Sequence, residues 1–98
     1  MAQVLIFGSW DRVKDLQNEV MRKVSNYGLI RKEDVKEALA EIESKRPPVL
    51  IVIDEAVSDE DRAQIQDTAQ ARGIKTTLID PTNIGQRQHL IRRLQGGA

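Results

Sequence analysis

A short apolar run that ends at two carboxylates constrains the fold of this 98-residue chain more than any other feature. Val49–Ile53 is mostly β-branched, and Asp54 and Glu55 follow it directly. An unbroken apolar run of this length is typical of a strand buried on both faces, which occurs mainly in parallel sheets that are covered by helices. Ligands in such sheets bind just beyond the carboxyl ends of the strands. We therefore expect any functional site to include Asp54 and Glu55.

The rest of the chain predicts a repeated strand–helix pattern. Val4–Phe7 is a second unbroken apolar run, whereas the strand predicted over Tyr27–Ile30 is short and the one over Ile74–Ile79 is mixed in character. Apolar residues at helical spacing predict a helix after each strand. The predicted helices cover Asp11–Ser25, Glu33–Lys45, the stretch from Ser58 to Gly73, and the residues that follow Asn83.

Alternation of strands and helices with short loops predicts right-handed crossovers and a parallel sheet. The two fully apolar strands belong in the middle of that sheet, which gives the spatial order 2-1-3-4 of a flavodoxin-like fold. A chain of this length has room for one core only. We therefore predict one α/β domain over residues 1–98, a three-layer α-β-α arrangement with a four-stranded parallel sheet and a frayed end at 95–98.

Composition excludes several classes of function. Lys plus Arg and Asp plus Glu each number 15, and a net charge of zero does not favour a nucleic-acid or anionic-membrane surface. The chain has no Cys, which excludes disulfides and thiol catalysis. Its apolar runs are far shorter than the roughly 20 residues of a membrane helix, and its start has no signal-like segment. The simplest expectation is a cytoplasmic protein.

Beyond the general fold, the layout resembles the receiver domains of response regulators. The likeness covers about residues 4–80, and the stretch EDVKEALAEIESKRPPVLIVID is similar to the receiver segment that leads to the phosphoacceptor aspartate. By this resemblance, Asp54 stands at the phosphoacceptor position. The resemblance also implies a role in signalling through contacts with other proteins.

The residues that a receiver uses for phosphoryl transfer are missing. Receivers carry an acidic pair after the first strand to hold magnesium, whereas this chain has Gly8 and Ser9 there. A hydroxyl-bearing residue is expected after the fourth strand, where the chain has Asp80 and Pro81, and the chain ends before the fifth strand that precedes the family's lysine. Because phosphoryl transfer needs a metal and a cation, Asp54 alone does not support it. The resemblance thus implies a degenerate receiver with no catalytic residues, metal or cofactor.

The segment VLIFGSWD supports a different resemblance, to small ligand-binding Rossmann-like domains of the SLOG type. In this alternative, a glycine–serine turn lets a phosphate approach the backbone amides at the start of the first helix. The acidic loop after the third strand argues against a phosphate, because carboxylates repel it. The candidate ligand-binding residues are Gly8, Ser9, Trp10, Asp11, Asp54 and Glu55.

Each of these candidates also has a purely structural explanation. Gly8 and Ser9 are explained equally by a tight turn and a helix cap, and the strand-end carboxylates by solvation. Trp10, the only tryptophan, lies on a loop above the predicted sheet and either contacts a partner or covers the core. His89, the only histidine, has no other soft ligand near it in the sequence, so we expect no metal site there.

The favoured function is a non-catalytic module that works through contacts with a protein partner or a second copy. Its expected surface is the exposed edge of the fourth strand with the arginines of the last helix, which makes a homodimer one form of association. Acids concentrate in residues 54–61 and bases in residues 81–98, a polarity that either orients a partner head to tail or complements helix dipoles.

The alternatives are a ligand-binding domain, a fragment or engineered form of a larger flavodoxin-like protein, and, least favoured, an RNA-binding protein. The interaction residues are Lys75, Thr76, Thr77, Arg87, Arg92 and Arg93.

Overall fold

The computed structural model describes residues 1–97, in which four strands and four helices alternate along the chain. All of the predicted elements are present, with ends that differ by one to a few residues from the sequence-based bounds. Within residues 1–97, no helix combines the length and apolar character needed to cross a membrane. The strands are β1 (Gln3–Phe7), β2 (Gly28–Lys32), β3 (Leu50–Asp54) and β4 (Lys75–Ile79), and the helices are α1 (Trp10–Lys23), α2 (Val35–Ile42), α3 (Asp59–Ala71) and α4 (Ile84–Gln95).

All four strands are parallel and lie in the order β2-β1-β3-β4, which confirms the predicted sheet. The central strands β1 and β3 contain the two apolar runs, and every residue of β3 is buried. The outer strands are different: β2 is half-buried along its length, and only Ile79 of β4 is buried. A central strand needs apolar side chains at every position because helices cover both of its faces.

The sheet separates two apolar cores. Side chains alternate between the faces of a strand, so Val4 and Ile6 pack with α1 and α4, whereas Leu5 and Phe7 pack with α2 and α3. This division confirms the three-layer arrangement. The helical residues of the first core are Val13, Leu16, Val20, Leu90, Ile91 and Leu94, and those of the second are Ala38, Ile42, Ile65 and Ala69.

The sequence predicts caps before the last two helices, because Asp61 follows Ser58 as in a capping box and Asn83 ends a turn, and both caps are present. Ser58 Oγ accepts a hydrogen bond from the backbone N–H of Asp61 at 3.2 Å, before α3. Asn83 Oδ1 accepts one from the backbone N–H of Gln86 at 3.0 Å, before α4. These bonds satisfy amide groups that have no partner inside the first turn of a helix.

Three details differ from the sequence-based expectation. α1 begins at Trp10, so this tryptophan belongs to the helix and not to a loop. The apolar residues that the sequence predicts for the last helix are Ile84, Leu90, Ile91 and Leu94, but Ile84 is 62% exposed at the first position of α4. Gln95, predicted within the frayed end, belongs to α4, and its Nε2 donates a hydrogen bond to the carbonyl oxygen of Lys23 at 3.1 Å. Ala98 lies outside the described residues.

Candidate functional site

The carboxyl ends of the strands bring several predicted ligand-binding residues together. A cleft of about 320 Å³ opens there, between the loop after β1, the end of β3 and the start of α3. Trp10, Asp11 and Glu55 do not line this cleft, and Asp11 and Glu55 are exposed. The predicted residues Gly8, Ser9 and Asp54 line it, together with Arg12, Glu33 and Asp61.

Asp54 is held by an arginine in the interior of this edge. Arg12 Nε donates a hydrogen bond to Asp54 Oδ2 at 2.7 Å, and Arg12 Nη2 donates one to Oδ1 at 3.1 Å. The backbone N–H of Ala56 donates a third, to Oδ1 at 2.9 Å. Asp54 is only 2% exposed, so the explanation of this residue as a solvated strand end is wrong. This bidentate ion pair fixes the position of the carboxylate. The guanidinium keeps its proton at any ordinary pH, so the pair is permanent.

The same guanidinium reaches the end of β4. Arg12 Nη2 donates to Asp80 Oδ1 at 3.3 Å, and that oxygen also accepts from the Thr82 hydroxyl at 2.6 Å and the Thr82 backbone N–H at 3.0 Å. The two bonds from Thr82 lower the pKa of Asp80 below its ordinary value of 3.8, and Arg12 adds a smaller effect in the same direction. The pKa of Arg12 is raised, chiefly by its hydrogen bond to Asp54. Arg12 therefore ties α1 to the ends of both β3 and β4.

Gly8 makes room for this ion pair. A Cβ atom at position 8 would lie 2.9 Å from Asp54 Cβ and 3.0 Å from Val13 Cγ1, closer than real Cβ atoms pack. The backbone of Gly8 is outside the left-handed region, so glycine is needed here for close approach and not for a turn. Ser9 occupies the N-cap position of α1, but its side chain makes no capping hydrogen bond. The position of the predicted cap is therefore confirmed, but the predicted hydrogen bond to the cap side chain is wrong.

Trp10 braces the loop after β1 against β2. The guanidinium carbon of Arg31 lies 5.6 Å from the centroid of the Trp10 ring, within the range of a cation–π contact. Arg31 Nη1 also donates to the carbonyl oxygen of Gly8 at 3.2 Å and lies 3.7 Å from Glu33 Oε1. Trp10 itself is 42% exposed. It neither covers the core fully nor stands free in solvent.

The charge of the cleft limits what it can bind. Glu33, Asp54 and Asp61 line it, and Arg12 is already bound to Asp54. A phosphate would therefore meet excess negative charge. Within residues 1–97, no three His, Cys, Asp or Glu side chains are grouped closely enough to hold a metal ion, and His89 is exposed on α4.

Five of the six predicted interaction residues lie on accessible surface. Lys75, Thr76 and Thr77 are on the outer edge of the sheet, where β4 pairs with β3 alone. Arg92 is exposed in the last turn of α4, and Arg93 beside it is half-buried. The outer edge of β4 and the end of α4 thus leave polar groups accessible to a partner.

Arg87, the sixth, is engaged inside the protein. Its Nε donates a hydrogen bond to Glu19 Oε1 on α1 at 2.8 Å, and its Nη1 donates one to the carbonyl oxygen of Pro81 at 3.3 Å. The Arg87 side chain is 12% exposed. It therefore joins α4 to α1 and offers little charge to a partner.

Arg12 and Asp80, which form the ion pairs of this edge, are not among the site residues predicted from the sequence, and neither are Glu33 and Asp61 of the cleft. Arg12 is 42 positions away from Asp54 in the chain and occupies a polar position of an amphipathic helix, where solvation is the usual expectation. One signal was available: Asp54 ends a strand that is buried on both faces, and a buried charge requires a partner. A cation in the first turn of the helix after β1 is close enough to provide one.

No protein-family model, curated protein or solved structure shows significant similarity to this chain. The resemblances to receiver domains and to SLOG-type domains therefore stay predictions from the sequence pattern. What the protein does has to be argued from the geometry and charge of its own residues.

Proposed function

We propose that this chain is a non-catalytic protein-interaction module that resembles a pseudo-receiver domain. The observation that carries the proposal is the fixed ion pair between Arg12 and Asp54. A receiver needs an aspartate that a phosphoryl donor can reach and a metal ion that neutralises the developing charge. Two features support the proposal: Asp54 is only 2% exposed, and within residues 1–97 no group of three His, Cys, Asp or Glu side chains could hold a metal ion.

Both carboxylate oxygens of Asp54 already accept hydrogen bonds from the protein. Oδ2 accepts from Arg12 Nε at 2.7 Å, while Oδ1 accepts from Arg12 Nη2 at 3.1 Å and from the Ala56 N–H at 2.9 Å. These bonds occupy most of the lone pairs that could attack a phosphoryl donor, and withdrawal of Arg12 would leave a buried carboxylate without a counter-charge. Arg12 supplies permanently the positive charge that a metal supplies only while bound. This pair favours a single, locked state of the carboxyl edge.

The interaction part of the proposal is supported by the opposite end of the sheet. Lys75 is the first residue of β4, and Arg92 and Arg93 lie in the last turn of α4, so all three belong to the end where the strands begin. None of the three forms an ion pair within residues 1–97. Thr76 and Thr77 continue from this end along the unpaired edge of β4, which is open to pairing with another strand.

Treatment with acetyl phosphate and magnesium, followed by intact-mass spectrometry, tests the non-catalytic part. We expect no phosphoryl adduct on the wild type. Arg12→Lys is a matched variant that keeps the charge but loses the two-pronged geometry, and we expect no adduct on it either, because no acidic pair follows β1. Magnesium-dependent labelling of Asp54 in the wild type would contradict the proposal.

A second candidate, binding of a small molecule at the carboxyl edge, is favoured by Ser9. Its hydroxyl makes no capping hydrogen bond and lines the cleft of about 320 Å³. The acidic lining favours a cationic or neutral polar ligand over a phosphate-bearing one. Thermal denaturation with a polyamine and with nucleotides tests this candidate, since a ligand at 100 times its Kd adds about 2.7 kcal/mol of stability. A shift that Ser9→Ala abolishes supports it, and unchanged melting with every probe rejects it for these classes.

A further inference from the structure

All four helices end at the same end of the molecule. In a parallel sheet, each crossover helix returns from the carboxyl ends of the strands to their amino ends. The strand starts lie side by side, since Gln3 pairs with Gly28 and Leu50 pairs with Lys75. Residues in the last turns of the helices and in the following loops therefore share this end with the first residues of the strands.

This end carries a dense group of cations. Gln95 Nε2 on α4 donates to the carbonyl oxygen of Lys23 on α1 at 3.1 Å, so the last turns of these two helices lie together. The Cα atoms of the whole protein extend over only 29 × 27 × 17 Å, which keeps the charges close to one another. We call the group the basic end, and its members are Arg22, Lys23, Lys45, Arg46, Arg72, Lys75, Arg92 and Arg93.

Most of this charge has no ion-pair partner among residues 1–97. Among residues 1–97, Lys23 is the one member of the basic end with an ion pair, to Glu19 on its own helix at 3.8 Å. All members are exposed except Arg93, which is half-buried. Glu41 and Glu43, at the end of α2, offset only part of the charge.

Helix dipoles explain some of these cations but not all of them. Lys and Arg in the last turn of a helix are favourable, and the effect fades beyond that turn. Lys45 and Arg46 lie in the loop between α2 and β3, and Lys75 lies in a strand. Helix dipoles therefore do not account for these three cations.

The carboxyl end of the sheet has the opposite charge. The three arginines Arg12, Arg31 and Arg62 each form an ion pair with a nearby carboxylate. Lys32 and Lys36 offset part of the remaining negative charge. Several other carboxylates at this end have no ion-pair partner within residues 1–97. We call them the acidic end: Asp11, Asp34, Glu37, Glu55, Glu60 and Asp61.

We propose that the basic end of one copy binds the acidic end of a second copy, so that the chain associates head to tail. The inference rests on the proposed function, because it names the partner of that interaction surface. The net charge is zero, but the positive and negative charges are separated between the two ends of the molecule. A contact between unlike ends is heterologous and does not close by two-fold symmetry, so association can continue beyond a dimer.

The surroundings of the basic end suit a protein partner better than a nucleic acid. Met21 is 64% exposed in the last turns of α1, and Val49, just before β3, is 44% exposed. Apolar side chains within a polar, charged rim are the usual arrangement of a protein interface. Aromatic side chains on which bases could stack are scarce, because half-buried Tyr27 is at this end whereas Phe7 and Trp10 are at the other.

The association is expected to depend strongly on ionic strength. Exposed charges interact over about one screening length, which is roughly 30 Å at 0.01 M salt and about 8 Å at 0.15 M. The longer value is comparable with the largest extent of the Cα atoms, 29 Å, so at low salt the charges within each end act together on a second copy. At higher salt, only groups in direct contact contribute.

Sedimentation velocity over a concentration series, at about 0.01 M and about 0.5 M salt, tests the inference. We expect the mean mass of the wild type to rise with concentration at low salt and to return to that of a monomer at high salt. Lys45→Glu with Arg46→Glu, and separately Glu55→Lys with Glu60→Lys, should each weaken association at least about tenfold, because like charges then face each other across the contact. The control Lys45→Arg with Arg46→Lys keeps the charge and should associate like the wild type.

Two results would overturn the inference. One is a wild type that stays monomeric throughout, and binding of a DNA oligonucleotide by that monomer would identify a polyanion as the partner. The other is association that neither double variant weakens. Circular dichroism of each variant verifies that a loss of association is not a loss of fold.

The chain has no Cys, which permits a test of orientation. Ala2 and Ala56 are exposed residues at the amino and carboxyl ends of the sheet. Ala2→Cys and Ala56→Cys proteins are mixed at low salt and treated with a short bismaleimide. Head-to-tail contact predicts cross-links between the two variants and few within either alone. Cross-links mainly between like variants, or between Thr77→Cys copies across β4 edges, would overturn the orientation.

Failure of this inference is distinguishable from failure of the proposed function. A monomeric protein without a phosphoryl adduct removes the second copy as partner and leaves the non-catalytic module intact. Magnesium-dependent labelling of Asp54 removes the proposed function whatever the mass in solution.

Discussion

The two ends of the sheet differ in how their arginines are bound. At the carboxyl end, Arg12 binds Asp54 through two hydrogen bonds and reaches Asp80 with a third. At the amino end, Arg92 is exposed in the last turn of α4 and has no ion-pair partner within residues 1–97. The same side chain therefore stabilises the fold at one end and is accessible to a partner at the other.

Burial of the partner carboxylate explains this difference. Asp54 is 2% exposed and cannot be stabilised by water, so it requires a cation from the protein itself. An exposed arginine such as Arg92 is solvated without any partner, and pairing it would add little to stability. The charges of Arg12 and Asp54 at the carboxyl end are thus part of the folded structure, whereas the charge of Arg92 at the amino end costs the fold almost nothing to keep unpaired.

Replacing one arginine at each end by methionine is the strongest way to break the comparison. Arg12→Met leaves Asp54 buried without a counter-charge, which is strongly destabilising. Arg92→Met changes an exposed position, and we expect the free energy of unfolding to change by less than about 0.5 kcal/mol. Urea denaturation of both variants measures the difference, and similar midpoints would contradict the distinction between the two ends.

Removing the carboxylate instead of the cation should cost less. Asp54→Asn loses charge-assisted hydrogen bonds, but the 35% exposed Arg12 side chain can turn to water. We expect a loss of about 1–3 kcal/mol in the free energy of unfolding. In the same urea series, Asp54→Asn should unfold at a higher midpoint than Arg12→Met, and the reverse order would show that the charge is not the main factor.

Two glycines sharpen the comparison through packing. Gly8→Ala places a Cβ atom 2.9 Å from Asp54 Cβ, and overpacking of this kind costs about 1–3 kcal/mol. Gly96→Ala, after α4, meets only the carbonyl oxygen of Arg92 at 3.5 Å and that of Arg93 at 3.6 Å. We expect the latter change to be neutral or to stabilise by up to about 1 kcal/mol, because alanine restricts the unfolded chain. Thermal denaturation measures both, and a Gly8→Ala protein as stable as the wild type would contradict the close approach.

The smallest expected effect concerns the pKa of Asp80. Thr82→Val removes the hydroxyl that donates to Asp80 Oδ1 at 2.6 Å, so the pKa of Asp80 should rise toward its ordinary value of 3.8. A lowered pKa in the folded state stabilises the fold above the ordinary value, and the contribution is lost as the pH falls through the folded pKa. The stability difference between wild type and variant should thus be full above about pH 5 and disappear in strong acid. Carboxyl NMR titration measures the pKa, and an unchanged value would exclude the hydroxyl as its cause.

The sequence predicts the sheet well because its information is local. Continuous apolar runs in β1 and β3 identify the buried central strands, and mixed β4 identifies an edge. Ser58 and Asn83 cap their helices through residues three positions away, which a sequence pattern reveals.

The site was only partly predictable because its contacts are not local. Gly8, Ser9 and Asp54 were placed at one edge from the strand order alone. The bond from Arg12 to Asp54 joins residues 42 positions apart, and no spacing rule connects them. The prediction for Ile84 was wrong because an apolar residue at the first position of a helix need not reach the core.

The side-chain NMR signals of Arg12 and Arg92 test the central claim most directly, because one spectrum compares the two ends. We predict that the Arg12 Nε–H resonance persists near neutral pH, is coupled to the Asp54 carboxylate through their hydrogen bond, and does not shift when magnesium and beryllofluoride are added. The Arg92 Nε–H should exchange rapidly with water. An Arg12 signal that exchanges as fast as that of Arg92, or that shifts with these ions, would contradict a locked carboxyl end.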